Sequence, residues 1–162
     1  MQIISMKAEH WPDVKAIYES GIATGNATFQ TGAPAWEEWD AAHIKTCRLV
    51  AVEQDEILGW AALTPVSGRC VYAGVAEVSI YISESARGKG LGSILLNALV
   101  AESEQHNFWT LQAGIFPENV ASIRLHEACG FRMVGRREKI GQMLGVWRDT
   151  VLLERRSNTV GV

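Results

Sequence analysis

The sequence predicts an α/β sandwich whose central sheet is partly antiparallel. Three observations carry this. Strand-like and helix-like segments are mixed along the chain instead of grouped by type. Two apolar runs, residues 48–53 and 57–65, are separated only by Gln54, Asp55 and Glu56, which is a hairpin signal. The stretch AEVSIYISESARGKGLGSILLNAL, residues 76–99, passes from an alternating apolar segment through a loop with three glycines at spacing two into an amphipathic segment.

Taken in order, residues 3–7 read as a short first strand. Residues 10–22 place Trp11, Val14, Ile17, Tyr18 and Ile22 at helical spacing. Residues 24–34 form a loop rich in Gly, Thr and Asn, and 36–46 a second short helix. The hairpin follows, then a linker over 67–74 and a strand over 75–82. Leu91, Ile94, Leu95, Ala98 and Leu99 define one face of the next helix. Residues 110–116 form a strand. Asn119 is an N-cap for a helix that runs to Cys129 and stops at Gly130. Residues 131–139 and 146–153 close the chain as an antiparallel pair.

The chain has 162 residues, 48% apolar and 20% charged, which suits one domain with a real core. Residues 1–155 are read as that domain and 156–162 as a flexible C-terminal tail. A net charge of −3 argues against a nucleic-acid partner. Three cysteines, Cys47, Cys70 and Cys129, lack CxxC spacing and suggest neither a disulfide framework nor a zinc site. His10, His43 and His106 are scattered, so no metal is expected. The N-terminus lacks signal-peptide character and no apolar stretch approaches a membrane span, so a cytoplasmic protein is expected.

The glycine loop, Arg87-Gly88-Lys89-Gly90-Leu91-Gly92-Ser93, opens a helix. A helix N-terminus offers unpaired N–H groups and the positive end of the macrodipole. Glycines let a phosphate approach that backbone, and Arg87 and Lys89 add charge. The loop lacks the third glycine of the dinucleotide fingerprint and the GK[ST] of a Walker loop. What remains is RxxGxG, a phosphate cradle or a flexible turn with a basic rim.

EVSIYI, RGKGLGS, the amphipathic helix and QAGIFPENVASIRLHEACGF together resemble the acetyl-CoA-binding half of the GNAT superfamily of N-acetyltransferases. AIYESGIATGNATFQT, Arg69-Cys70-Val71-Tyr72 and GVWRD extend the resemblance to the phosphinothricin and methionine sulfoximine N-acetyltransferase branch. The resemblance implies a mixed, mostly antiparallel central sheet with splayed parallel strands at the acetyl-CoA site, flanked by helices. It implies a homodimer and acetyl transfer to the α-amine of a small amino acid or analogue, directly in a ternary complex. It also implies that the backbone of Ile80, Tyr81 and Ile82 and the side chain of Asn119 meet the pantetheine arm. Arg87, Gly88, Lys89, Gly90, Leu91, Gly92 and Ser93 would hold the pyrophosphate.

Acetyl transfer needs a neutral amine, so a carboxylate must take a proton, directly or through water. Glu77 occupies the branch's proposed base position, inside an otherwise apolar strand where an unpartnered charge is costly. His126 stands where many GNAT enzymes have tyrosine; it would act as acid or assisting base, with Tyr81 a further candidate. The alternative for His126 is packing beside a stripe of Ala121, Leu125 and Ala128. For the acceptor, Arg69 matches the branch's arginine and suits a carboxylate or phosphinate. Phe29, Tyr72 and Trp147 would wall the pocket, with Phe29 and Trp147 alternatively serving as core or interface aromatics. Other acceptors (a polyamine, an aminoglycoside, a protein N-terminus) and a non-catalytic acyl-CoA-binding module are the competing readings.

Overall fold

Seven strands carry the alternating segments: β1 (Gln2–Ser5), β2 (Leu49–Glu53), β3 (Glu56–Pro65), β4 (Val75–Ile82), β5 (Thr110–Ile115), β6 (Arg132–Met143) and β7 (Val146–Arg156). Four helices join them: α1 (Trp11–Ala23), α2 (Trp36–Ala42), α3 (Leu91–Gln105) and α4 (Val120–Ala128). The computed structural model describes residues 1–162. The strands form one sheet in the order β1-β2-β3-β4-β5-β7-β6. Every neighbouring pair is antiparallel except β4 and β5.

The period-two alternation of the strands sorts the core onto two faces. On β3, Ala61 and Leu63 point to one side, and Trp60 and Ala62 to the other. The first face is covered by α3 through Leu95, Leu96 and Leu99, all fully buried. Each buried leucine contributes about 1.5–3 kcal/mol of transfer free energy. The second face is covered by α1 through Trp11, Val14 and Ile17, and by Trp39 of α2.

Several boundaries differ from the sequence reading, each for a physical reason. α2 ends at Ala42 and not at Thr46. The buried Arg48 guanidinium donates to the carbonyls of Asp40, His43 and Ile44, taking acceptors that a longer helix would have used. The buried face of α3 runs through Leu91, Leu95, Leu96, Leu99, Val100 and Ser103, while Ile94 is exposed. On α4 the expected stripe faces the core only through Leu125: Ala121 and Ala128 are exposed and His126 is the buried residue.

The closing hairpin is longer than expected because a bulge carries β6 on to Met143. Register shifts between Arg137 and Gly141, where Lys139 adopts φ +46° and its N–H donates to Asp149 Oδ1 at 2.7 Å. The terminal residues, read as a loose tail, are hydrogen-bonded. Arg156 donates to the carbonyls of Val160 and Gly161, and Ser157 donates to Glu104.

Candidate active site

The site begins where β4 and β5 part. Their parallel ladder covers only Val75–Glu77 against Thr110–Gln112. From Val78 to Ile82, β4 is paired on its β3 side alone. The splayed edge therefore presents free backbone N–H and C=O groups, which must find a partner. The gap opens into a cleft of about 800 Å³ lined by β4, the glycine loop, the end of β5, the start of α4 and the loop after α1.

At one end lies the glycine loop. Gly88 and Gly90 adopt φ +74° and +80°, and Gly90 is the N-cap of α3 with no side-chain cap bond. A Cβ at either position would meet nothing within 4 Å, so backbone conformation and not crowding demands glycine there. Gly92 is different: a Cβ would lie 3.1 Å from Leu125, so it is small because α3 packs on α4. Arg87 Nε donates to Ile82 O, which fixes its stem beside the loop. An uncapped helix start, an open approach and a fixed arginine suit a pyrophosphate.

Asn119 caps α4 as expected, its side-chain oxygen accepting from Ser122 N–H at 3.2 Å. Its Nδ2 also donates to Asn26 O at 3.1 Å, tying α4 to the loop after α1. Arg148 strengthens the same junction. It donates to Gly25 O and Asn26 Oδ1, pairs with Glu118, and lies over Phe116 with its guanidinium 3.9 Å from the ring centre. Phe29 packs edge-on against Phe116 and lies over Gly141, where a Cβ would come within 2.9 Å of its ring.

Glu77 sits at the last pairing position before the strands diverge, half-buried, and accepts a bond from Gln112 Nε2 at 3.2 Å. Gly114 leaves room beside it; a Cβ there would be 4.0 Å from Glu77 Oε1. His126 is buried, with Nδ1 2.7 Å from Ser122 O. A carbonyl only accepts, so Nδ1 carries the proton and Nε2 the lone pair. Nε2 has no protein partner. Burial pushes the imidazole pKa down, partly opposed by the Ser122 carbonyl, which favours the neutral ring. Tyr81 stacks on Trp60 and packs against Tyr18, and burial pushes its phenol well up. A carboxylate on a partly wet wall and a neutral imidazole with a free lone pair are two proton acceptors in one cleft.

The cleft lining thus gathers Phe29, Glu77, Ile80, Tyr81, Ile82, Arg87, Gly88, Gly90, Leu91, Gly92, Asn119 and His126. It does not include Lys89, Ser93, Arg69 or Tyr72. The Arg69 guanidinium stacks on the exposed Tyr72 ring in the segment before β4. Trp147 lies outside the cleft, in a shallow exposed depression with Met143 and Leu144. Cys129 is buried with its thiol pKa raised by burial, which leaves no nucleophile there. Sequence reasoning missed Gln112, Arg137 and the loop-clamping role of Arg148. Arg148 lay within the GVWRD stretch and Gln112 opened the QAGIFPENVASIRLHEACGF block, but nothing local shows that Gln112 meets Glu77 or marks Arg137, because sheet register brings them in. It also missed that Cys47, Glu102 and His106 gather within 4.8 Å at the C-terminal end of α3. Burial pushes the Cys47 thiol up to about 11, and His106 Nδ1 is engaged by Glu102 O, so this group reads as a packed helix end.

The model of the acetyltransferase (GNAT) family matches residues 11–131, and the chain belongs to that family. It is an acetyl-CoA-dependent acyltransferase, with acetyl-CoA as co-substrate. A phosphinothricin N-acetyltransferase of Alcaligenes faecalis is 36% identical over 153 residues, 91% of this chain and 78% of that one. An L-methionine sulfoximine/L-methionine sulfone acetyltransferase of Pseudomonas aeruginosa is 29% identical over 152 residues, 88% of this chain and 87% of that one. The crystal structure of a phosphinothricin acetyltransferase from Sinorhizobium meliloti in complex with AcCoA aligns with a TM-score of 0.87 at 27% identity, covering 99% of this chain and 90% of that one.

Proposed function

We propose that this protein acetylates the α-amino group of a small amino acid or analogue of the phosphinothricin, methionine sulfoximine or methionine sulfone type, by direct transfer in a ternary complex. The observation that carries the reading is Glu77, a carboxylate held by Gln112 at the mouth of the splayed strands, in one cleft with the uncapped glycine loop. The named relatives support the acceptor class.

In this account the free edge of Ile80–Ile82 bonds the pantetheine amides as an added strand would. Arg87 and the N–H groups of residues 88–93 hold the pyrophosphate, with Lys89 adding charge from outside the lining. Asn119, whose amide already caps α4 and holds the loop, positions the acceptor wall against the pantetheine arm. The ammonium of the acceptor loses a proton to Glu77 through water. The neutral amine then attacks the thioester carbonyl. The new C–N bond forms, the adduct nitrogen gives its second proton to His126 Nε2, the C–S bond breaks, and the thiolate takes a proton from solvent. His126, neutral with its Nε2 lone pair free, assists as proton acceptor and not as acid. Phe29 walls the acceptor end.

A homodimer fits the exposed apolar residues Leu144, Val146 and Trp147 of the β6–β7 turn. Three free cysteines fit a reducing, cytoplasmic setting. The test is free-CoA release, with mass analysis of the product, from acetyl-CoA and a panel of amines. The panel holds phosphinothricin, methionine sulfoximine, methionine sulfone, ordinary amino acids, spermidine and an aminoglycoside. Turnover confined to the amino acids and their analogues is expected, with the acetyl group on the α-nitrogen. Turnover of the polycations alone would refute the acceptor class.

A further inference from the structure

We propose that Arg137 is the specificity-determining residue that receives an oxyanion of the acceptor, a carboxylate or a phosphinate; this rests on the amino-acid reading above. The inference comes from sheet register. Glu77 pairs with Gln112, Gly114 with Leu152, and Arg137 with Thr150. Alternation then puts Glu77, Gln112, Gly114, Thr150 and Arg137 on one face of the sheet. Arg137 and Thr150 line the cleft together with Ile140 and Phe29.

Two arginines line this cleft, Arg87 and Arg137. Arg87 belongs to the glycine loop and is tethered to Ile82 O. The other arginines of the β6–β7 hairpin are committed: Arg132 to Glu154, Arg136 to Asp149, Arg148 to Glu118, Arg155 to Glu104, and Arg156 to tail carbonyls. Arg137 has no ion-pair or hydrogen-bond partner. The bulge that follows it explains why. Asp149 takes the Arg136 guanidinium and the Lys139 N–H, so the acid nearest in register is spent on the neighbouring side chain and on the backbone.

The cleft therefore has a carboxylate, Glu77, at one place and a free planar guanidinium three strands away on the same face. Strands are about 4.8 Å apart, a separation that the two side chains and one extended zwitterion between them can span. The amine goes to Glu77 and the oxyanion to Arg137, which offers the bidentate fork that carboxylates and phosphinates accept. Phe29 and Ile140 flank the aliphatic stem. Arg69, which the sequence pointed to, spends its guanidinium on Tyr72 outside the lining.

The experiment is steady-state kinetics of Arg137→Gln, Arg137→Lys and Arg69→Gln at saturating acetyl-CoA. The acceptors are phosphinothricin, methionine sulfone and the carboxamide of methionine sulfone. Arg137→Gln is expected to raise the acceptor KM roughly tenfold or more, with kcat and the acetyl-CoA KM little changed. The carboxamide is expected to be insensitive to the substitution, and Arg137→Lys to recover part of the loss. A penalty with both anionic acceptors assigns the α-carboxylate; a penalty with phosphinothricin alone assigns the phosphinate. Since Arg137 holds no internal partner, the melting temperature and its rise with acetyl-CoA should match wild type. The proposal is overturned if Arg137→Gln leaves every KM unchanged, if the carboxamide suffers equally, or if the effect appears in Arg69→Gln instead. Wild type active on the amino acids with an insensitive Arg137→Gln removes this proposal alone. Wild type inert toward all of them removes the amino-acid reading and this proposal with it.

Discussion

At the scale of the residue, His126 shows how burial sets chemistry. Its ring is walled by Phe131 and tied at Nδ1 to the carbonyl one turn back. Burial lowers its folded pKa below the ordinary 6.5. As pH falls, the unfolded chain binds this proton first. The stability associated with the neutral ring is therefore complete above about pH 6.5 and is lost as pH drops toward the folded value. His43, half-buried against Trp39, shifts in the same direction, chiefly for the same reason. We expect denaturant unfolding measured from about pH 7.5 to about pH 5 to show falling stability in wild type and a shallower slope in His126→Gln. An identical slope in the variant would show that this imidazole is not held neutral by the fold. Glu77 and His126 were singled out in sequence because each sits in a recognisable stretch, and both line the cleft. The tautomer of His126 was not legible, because a carbonyl of its own helix holds the proton at Nδ1. Arg137 was invisible for a related reason: only register distinguishes it from Arg136.

At the scale of the element, the loop into α3 is where local sequence and local structure agree most closely. Gly88 and Gly90 both need the left-handed backbone, and the open approach above them follows from having no Cβ. Gly90→Ala is expected to cost about 1–2 kcal/mol from backbone strain alone. For a chain this size that is a melting temperature about 2–8 °C lower, together with a smaller rise on adding acetyl-CoA; a variant melting like wild type would contradict the strain. Helix faces were read less well. Spacing alone chose Ile94 for the buried side of α3, but the true face lies one position round, through Leu96 and Val100. The end of α2 was set by Arg48, a residue beyond the helix that takes its carbonyls, and no local pattern announces that. The long β6–β7 hairpin was cut short for the same kind of reason: Lys139 and Gly141 break the alternation at a bulge that Asp149 holds from the opposite strand.

At the scale of the molecule, the antiparallel sheet is interrupted by one parallel pair, and that pair is short. Everything proposed for the site follows from its early end. The splay exposes the β4 edge, opens the cleft between α3 and α4 on one side and the α1 loop on the other, and leaves Glu77 at the fork. The hairpin, the closing antiparallel pair and the splayed strands at the fork were legible in sequence; the full strand order was not. Of the far wall only Phe29 was anticipated, because Asn26, Phe29, Phe116, Gly141 and Arg148 meet only when the chain is closed. The central claim is that Glu77 is the proton acceptor in an otherwise intact acetyl-CoA site. Its most direct test compares wild type with Glu77→Gln, an isosteric change that removes the charge. Both kcat/KM for the acceptor and the melting-temperature rise with acetyl-CoA are measured. In Glu77→Gln, kcat/KM is expected to fall by roughly 10²- to 10⁴-fold, with the acetyl-CoA-induced rise retained. A variant that turns over the acceptor at close to the wild-type rate would contradict it.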